Sequence, residues 1–251
     1  MTGSRAGNGL FEDTIIEEDI HPVYVSAGLT DVGRLRTSNQ DAFLEHGAGG
    51  LWVVADGMGG YRDGDVASRM VCEAVQDITG NLPFESAIDT IRQRMTDVNT
   101  VLHDAAVRPV DPVVSGSTVA MFLTRRTSCA VLWAGDSRIY RLRHRRLTQM
   151  TSDHTWAAEL NLQNLGDEAD HAITRAVGGE DTLLLDVRRD RVRLGDRYLL
   201  CSDGLTHELP DEQIAALLGE GDVQSCAKAL IDATLEAGAR DNVTVIVIDA
   251  Q

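Results

Sequence analysis

Positive charge is scarce in this 251-residue chain: 23 lysines and arginines stand against 39 aspartates and glutamates, a formal net charge of −16. A chain so acidic lacks the basic stripe that grips a polyanionic backbone, which argues against nucleic acid as a partner. Long apolar runs are missing too. The longest, Cys129 to Ala134, has six residues, far short of the roughly 18 that cross a bilayer, so no membrane span is expected. The first twenty residues have neither a cationic start nor an apolar stretch, but carry Glu12, Asp13, Glu17, Glu18 and Asp19. They do not read as a secretory signal. Cysteine is sparse: Cys72, Cys129, Cys201 and Cys226 lie 57, 72 and 25 residues apart with no CxxC pair, and the seven histidines show no HxH or HxxxH spacing. That removes the usual nitrogen and sulfur ligand sets for zinc. It predicts reduced, core-facing thiols and a cytoplasmic protein, and any metal would have to be held by oxygen.

What the chain does have is an ordinary globular balance, 43% hydrophobic and 25% charged, enough for a sizeable core. Residues 1–22, rich in glycine and acids and without a period, predict a flexible leader; residues 23–251 read as one domain, with no internal repeat. Runs of β-type residues at Val23 to Leu29, Leu51 to Ala55, Thr118 to Leu123, Cys129 to Ala134, Arg138 to Leu142, Leu183 to Val187, Tyr198 to Cys201 and Val243 to Ile248 predict strands. Helical spacing marks Val66 to Ile78, closed by Gly80 and Pro83, and Ile88 to Ala105. Asp211 is placed to cap a helix through Leu218, and Val223, Ala227, Leu230 and Ile231 mark a last one. Strands in blocks between helix pairs argue against a regularly alternating parallel sheet and for antiparallel sheets with helices outside. The weakly periodic stretch 152–180 reads as a surface loop or flap.

Three apolar runs end in an aspartate beside a glycine: LWVVADG (Leu51 to Gly57), VLWAGD (Val131 to Asp136) and YLLCSDG (Tyr198 to Gly204). A fourth, ARDN, puts Asp241 just before the run VTVIVI. A strand end fixes a side chain rigidly, and glycine allows a tight turn and close backbone approach, so each carboxylate is presented at a sheet rim. A single such pair is usually only a turn. If the four converge, two like charges ~4 Å apart repel by about 4 kcal/mol at an effective dielectric of ~20. A divalent cation with all-oxygen ligands, Mg²⁺ or Mn²⁺, resolves that conflict, and a pair of them suits phosphate ester hydrolysis. Upstream, Arg34 and Arg36 in RLRTSNQDAF offer planar forks for phosphate oxygens.

The ordered set RTSNQDAF, ADGMGG, SGSTV, WAGDSRIYRL, LTQMTSDH, ITRAVGG, LLCSDGL and ARDNVTV resembles the metal-dependent protein phosphatases of type 2C in their bacterial form, over about Val25 to Asp249. The resemblance implies an α/β sandwich of two packed antiparallel sheets flanked by pairs of helices, with a metal cleft at one edge. Carried over by motif, Asp56 bridges two ions, the Gly57 carbonyl ligates the second, Asp203 and Asp241 hold the first, and Asp41 sits at or beside the second. Asp136 matches a position linked to a third, weaker ion. Arg36 matches the arginine that binds the substrate phosphate, with Arg34 as the alternative.

The activity so implied is hydrolysis of phosphoserine and phosphothreonine by a metal-bridging hydroxide, with Arg36 and Asp56 central to the chemistry. The partners are phosphorylated proteins, including a serine/threonine kinase or its substrates. Two positions depart from the family pattern. Met58 stands where some relatives have a histidine proton donor, leaving that task to metal-bound water, and Gln40 stands where glutamate is common, which lowers the affinity expected at the second ion. Gly116, Ser117 and Thr118 read equally as a buried strand start, Asp153 and His154 as loop-stabilising, and Trp133 and Trp156 as packing residues. A non-catalytic module keeping the fold and a two-metal nuclease are the alternatives; intact carboxylates weigh against the first, and the net charge of −16 against the second.

Overall fold

The computed structural model describes residues 21–59, 63–110, 112–160 and 172–251. Eleven strands occur among them: β1 (Tyr24–Asp31), β2 (Asp41–His46), β3 (Leu51–Gly59), β4 (Ser115–Ser117), β5 (Val119–Arg125), β6 (Ser128–Ala134), β7 (Arg138–Arg143), β8 (Arg146–Gln149), β9 (Asp186–Arg191), β10 (Arg197–Cys201) and β11 (Val243–Ala250). The helices are α1 (Gly64–Glu73), α2 (Phe84–Ala106), α3 (Trp156–Leu160), α4 (Asp203–Thr206), α5 (Asp211–Leu218) and α6 (Val223–Ala237). One sheet has the order β1-β11-β10-β7-β8 and the other β2-β3-β5-β6-β9, with β4 added to the end of β3. The paired strands run antiparallel, so the expected sandwich is what the chain forms.

The central strands are apolar on both faces because both are covered. In β3, Trp52 and Val54 point between the sheets with Phe122, Tyr198, Ile246 and Ile248, whereas Leu51, Val53 and Ala55 point the other way, onto Val71, Ile88, Ile91 and Met95 of α1 and α2. β11 divides likewise: Val243, Val245 and Val247 face Leu230 and Ile231 of α6. Period-two alternation thus separates three apolar layers. An aromatic chain crosses the middle one, Tyr24–Trp52–Phe122–Tyr198, at centroid spacings of 5.5, 6.0 and 4.3 Å.

Several boundaries differ from the sequence expectation. The sixth predicted strand, Leu183 to Val187, lies instead at Asp186–Arg191, because Leu183 and Leu185 pack onto the helical layer from a loop while the charged run after Val187 pairs with β6. β2, β4 and β8 were not among the predicted strands. The helix predicted through Ile78 stops at Glu73, and tight turns carry Val75 and Ile78 into the core. Pro210, not Asp211, occupies the cap of α5; Asp211 instead accepts a hydrogen bond from the Tyr140 hydroxyl at 2.9 Å. α6 is capped by Asp222, which accepts from the Ser225 amide at 2.7 Å. All four cysteines are free and buried, as expected. The leader lies outside the described residues up to residue 20, and so does 161–171 of the flap. Among the described residues no helix is long and apolar enough to cross a membrane.

Candidate active site

Strand pairing alone brings the first two carboxylates together. In the β2–β3 ladder Asp41 lies directly opposite Asp56, an arrangement that like charges oppose. Asp41 Oδ2 accepts from Ser202 Oγ at 2.8 Å and Thr244 Oγ1 at 2.6 Å. Those hydroxyls belong to the other sheet, one just past β10 and one in β11, so Asp41 ties the sheets together at one edge. Ser202 leads directly into Asp203, the first residue of α4. Asp241 lies two residues before β11, and Asp136 sits in the turn between β6 and β7. β3 runs on past Asp56 to Gly59 by exchanging β5 for β4 as its partner, so Asp56 stands within a strand rather than at its end.

Glycine permits the close approaches this edge needs. A Cβ on Gly57 would collide with the Gly64 carbonyl, and one on Gly204 with the Asn242 carbonyl. Hydroxyl groups fix the Asp56 backbone: its amide donates to Thr118 Oγ1 at 3.0 Å and its carbonyl accepts from Ser117 Oγ at 3.1 Å. Asn242 spans the loop between β1 and β2, accepting from the Gln40 amide at 2.9 Å and donating to the Val32 and Ser38 carbonyls, each at 2.9 Å. Arg36, carried on that loop, donates to Asp241 Oδ2 at 2.6 Å. Arg34 contributes its backbone amide to the Ala239 carbonyl at 2.8 Å.

Electrostatics show that these groups share one site. Burial raises Asp56 well above the usual carboxylate range, and the charges of Asp41, Asp203 and Asp136 and a hydrogen-bonding contact with Asp203 push it further. Burial lifts Asp41 to about 7, with Asp203 and Asp241 adding to it against the two hydroxyl donors. Asp136 is lifted to about 8 by burial, then by Asp203 and Asp153. Arg36 is raised first by its hydrogen bond to Asp241, with Asp56 and Asp203 also contributing.

One oxygen on each of three aspartates, Asp41 Oδ1, Asp136 Oδ1 and Asp203 Oδ1, is buried with no hydrogen-bond partner. A buried polar atom left so costs about 1–3 kcal/mol. A hard divalent cation answers both the orphaned oxygens and the mutual repulsion, and the donor set is all oxygen. Among the described residues no three His, Cys, Asp or Glu groups stand as a finished cage for an ion. The fit is therefore one of donor chemistry and unsatisfied atoms.

Ser202, Thr244 and Asn242 were not singled out from the sequence, and Ser117 and Thr118, read there as a buried strand start, also hold the Asp56 backbone. Asn242 alone carried a local signal, its place after Asp241 in ARDN. His154 Nδ1 accepts the Gly135 amide at 3.2 Å while its Nε2 faces Asp186 Oδ2 at 3.2 Å and its ring stacks on Trp133; it holds the turn that carries Asp136. Burial lowers its pKa despite the Asp186 hydrogen bond. Trp133 is buried, with Nε1 on the Ser152 carbonyl at 2.8 Å. Trp156, expected to pack, is 54% exposed, because the short α3 buries none of its residues.

Comparison with known proteins matches these features. The family model described as protein phosphatase 2C matches residues 34–239. The serine/threonine protein phosphatase PstP of Mycobacterium tuberculosis is 33% identical over 89% of this chain, which spans 44% of that relative's length. The serine/threonine phosphatase stp of Listeria welshimeri is 30% identical, covering 88% of this chain and 93% of its own. Among solved structures, PppA, a regulatory component of T6SS in Pseudomonas aeruginosa, superposes with a TM-score of 0.85 at 35% identity over 92% of this chain and 99% of its own. The PstP catalytic domain in complex with two manganese ions gives 0.81 at 32% identity, over 91% and 98%. With its sandwich, its converging aspartates and these likenesses in agreement, the chain belongs to the protein phosphatase 2C family.

Proposed function

We propose that the protein is a metal-dependent phosphatase that removes phosphate from phosphoserine and phosphothreonine, opposing a serine/threonine kinase in the cytoplasm. The observation that carries this reading is the set of buried, partnerless oxygens on Asp41, Asp136 and Asp203, gathered beside Asp56 and within reach of Arg36. Asp56 would bridge two ions, Mn²⁺ or Mg²⁺, with the Gly57 carbonyl and Asp41 serving the second and Asp203 and Asp241 the first; Asp136 would serve a third, weaker one. Two manganese ions in the related PstP domain support that count. Ions held there would supply Lewis acidity, lowering the pKa of water and neutralising charge on a phosphoryl group.

The chain's own residues do the remainder. Arg36, on a side chain 55% exposed, offers its guanidinium edge to the phosphoryl oxygens and stabilises charge that grows on them as the ester bond lengthens. Thr118, Ser117 and Ser202 hold Asp56 and Asp41 in place, so little reorganisation accompanies the reaction. Met58, in β3, brings no proton to the leaving alkoxide.

The test is release of inorganic phosphate from a phosphothreonine peptide with Mn²⁺. The reading expects turnover that a chelator abolishes and excess Mn²⁺ restores. No turnover with any divalent metal, or full activity in Asp203→Asn, would overturn it.

A further inference from the structure

A cavity of about 390 Å³ opens immediately beside Arg36 and Asp241 and continues along Thr206, His207, Glu208 and Arg240. It is larger than one phosphoryl group requires, so it extends the site toward whatever flanks the phosphorylated residue. Its far wall is built around Arg240. Glu208, with a side chain only 8% exposed, accepts from both the Arg240 backbone amide at 3.0 Å and Arg240 Nε at 2.9 Å, Arg240 Nη2 donates to the His207 carbonyl at 3.4 Å, and the Arg240 side chain as a whole is 65% exposed. These contacts orient the guanidinium on a side chain that stays mostly exposed.

The turn beneath is also fixed. Ala239 is buried in the left-handed region at φ 39°, a conformation that costs a non-glycine residue of order 1–3 kcal/mol and persists only where surroundings impose it. Here the Arg34 amide on the Ala239 carbonyl and the Ala239 amide on the Thr234 carbonyl impose it. Both carboxylates at the cavity are already engaged, Glu208 by Arg240 and Asp241 by Arg36 and the Asn242 amide at 2.8 Å. On a chain of net charge −16, the cavity therefore presents two oriented guanidinium groups to an incoming ligand.

We infer that Arg240 is a specificity-determining residue: it binds a second anionic group on the same substrate chain, a carboxylate or another phosphate close to the phosphoresidue held by Arg36. The inference rests on the phosphatase reading and deepens it by naming the substrate class as acidic or multiply phosphorylated segments. Guanidinium recognition of carboxylate and phosphate has the same fork geometry.

The test compares phosphothreonine peptides that differ only beside the phosphoresidue, where they carry alanine, glutamate, phosphoserine or lysine, with wild-type protein and Mn²⁺. Wild type is expected to show kcat/KM about two- to fivefold higher for the glutamate or phosphoserine peptide than for the alanine one, the range of a partly exposed ion pair. The glutamate and phosphoserine arms separate the two sources of the anion. Arg240→Gln should reduce the ratio to near one, mainly through KM, Arg240→Lys should keep part of it, and Arg240→Glu should favour the lysine peptide. Reversal by charge is not something a purely structural residue produces. Equal kcat/KM across the peptides in wild type, or a preference that survives Arg240→Gln, overturns the inference alone; no hydrolysis of any peptide overturns it together with the phosphatase reading.

Discussion

Aspartates gather at both ends of one group of strands, with opposite outcomes. At one end of β7, β10 and β11, Asp136, Asp203 and Asp241 gather with Asp41 and Asp56, and three of these carboxylates keep a buried oxygen without a donor. At the other end, Asp196, only 1% exposed, receives Arg143 Nε and Nη2, each at 2.6 Å, the Arg193 amide at 2.7 Å and the Tyr198 hydroxyl at 3.0 Å. Asp249 is likewise gripped by Arg197 at 2.5 and 2.8 Å. Burial pushes Asp196 up as it does Asp41, yet the arginine and its neighbours outweigh burial and hold Asp196 low, whereas Asp41 reaches about 7. Asp196 and Asp249 are matched by arginines of the chain itself, whereas Asp41, Asp136 and Asp203 each keep an oxygen without a donor, as the proposed cation site requires.

Variants at the two ends should therefore separate activity from stability. The largest effect is expected for Asp203→Asn, which should lower kcat/KM by on the order of 10³-fold while leaving the melting temperature of the metal-free protein unchanged or higher, since one repelling charge is gone. A metal-free melting temperature several degrees lower would dissolve the contrast. Asp196→Ala should do the reverse. Removing this buried partner leaves Arg143 only its bond to the Arg191 carbonyl and costs about 3–5 kcal/mol, readable in urea unfolding, with turnover per folded molecule unchanged.

The pH dependence of stability should also differ in sign. Asp41 and Asp136 have folded-state pKa values raised from 3.8 to about 7 and about 8, so between about pH 4 and pH 8 the metal-free folded state holds more protons than the unfolded one. Stability contributed there is present at low pH and lost as pH rises through that window. Asp196, held low, contributes stability above its unfolded value that is lost as pH falls below about 4. Metal-free melting curves across pH 4–8 should fall, and the fall should flatten in Asp41→Asn; a rise over that range would break the assignment. The smallest effect is expected for Thr244→Val, which removes one of the two hydroxyls on Asp41 and should weaken Mn²⁺ binding by about tenfold, with activity recovered at saturating metal.

How legible all this was in the sequence varied with the kind of information each element carries. β3, β5, β6 and β11 are buried on both faces and read as apolar runs, so they were found directly. β2 reads DAFLEH, partly buried almost throughout, and β8 reads RLTQ; neither carries a period strong enough to stand out, and both depend on a neighbour for their pairing. Asp56, Asp136 and Asp203 were visible because each sits beside a glycine at the end of an apolar run, and Asp241 because it stands just before one. Their supports were not, because Ser202 and Thr244 reach Asp41 only once two sheets have packed, and Glu208 meets Arg240 across 32 positions of chain. Local grammar shows where a side chain is presented, while its partners are decided by register and sheet packing.

The most direct test of the central claim is a count of bound Mn²⁺ on metal-free protein, by calorimetric titration at pH 7.5, for wild type and for Asp56→Asn/Asp203→Asn. Saturable binding of about two ions per chain that disappears in the double variant is the expected result. No saturable binding by wild type, or the same stoichiometry and affinity in the double variant, would contradict it.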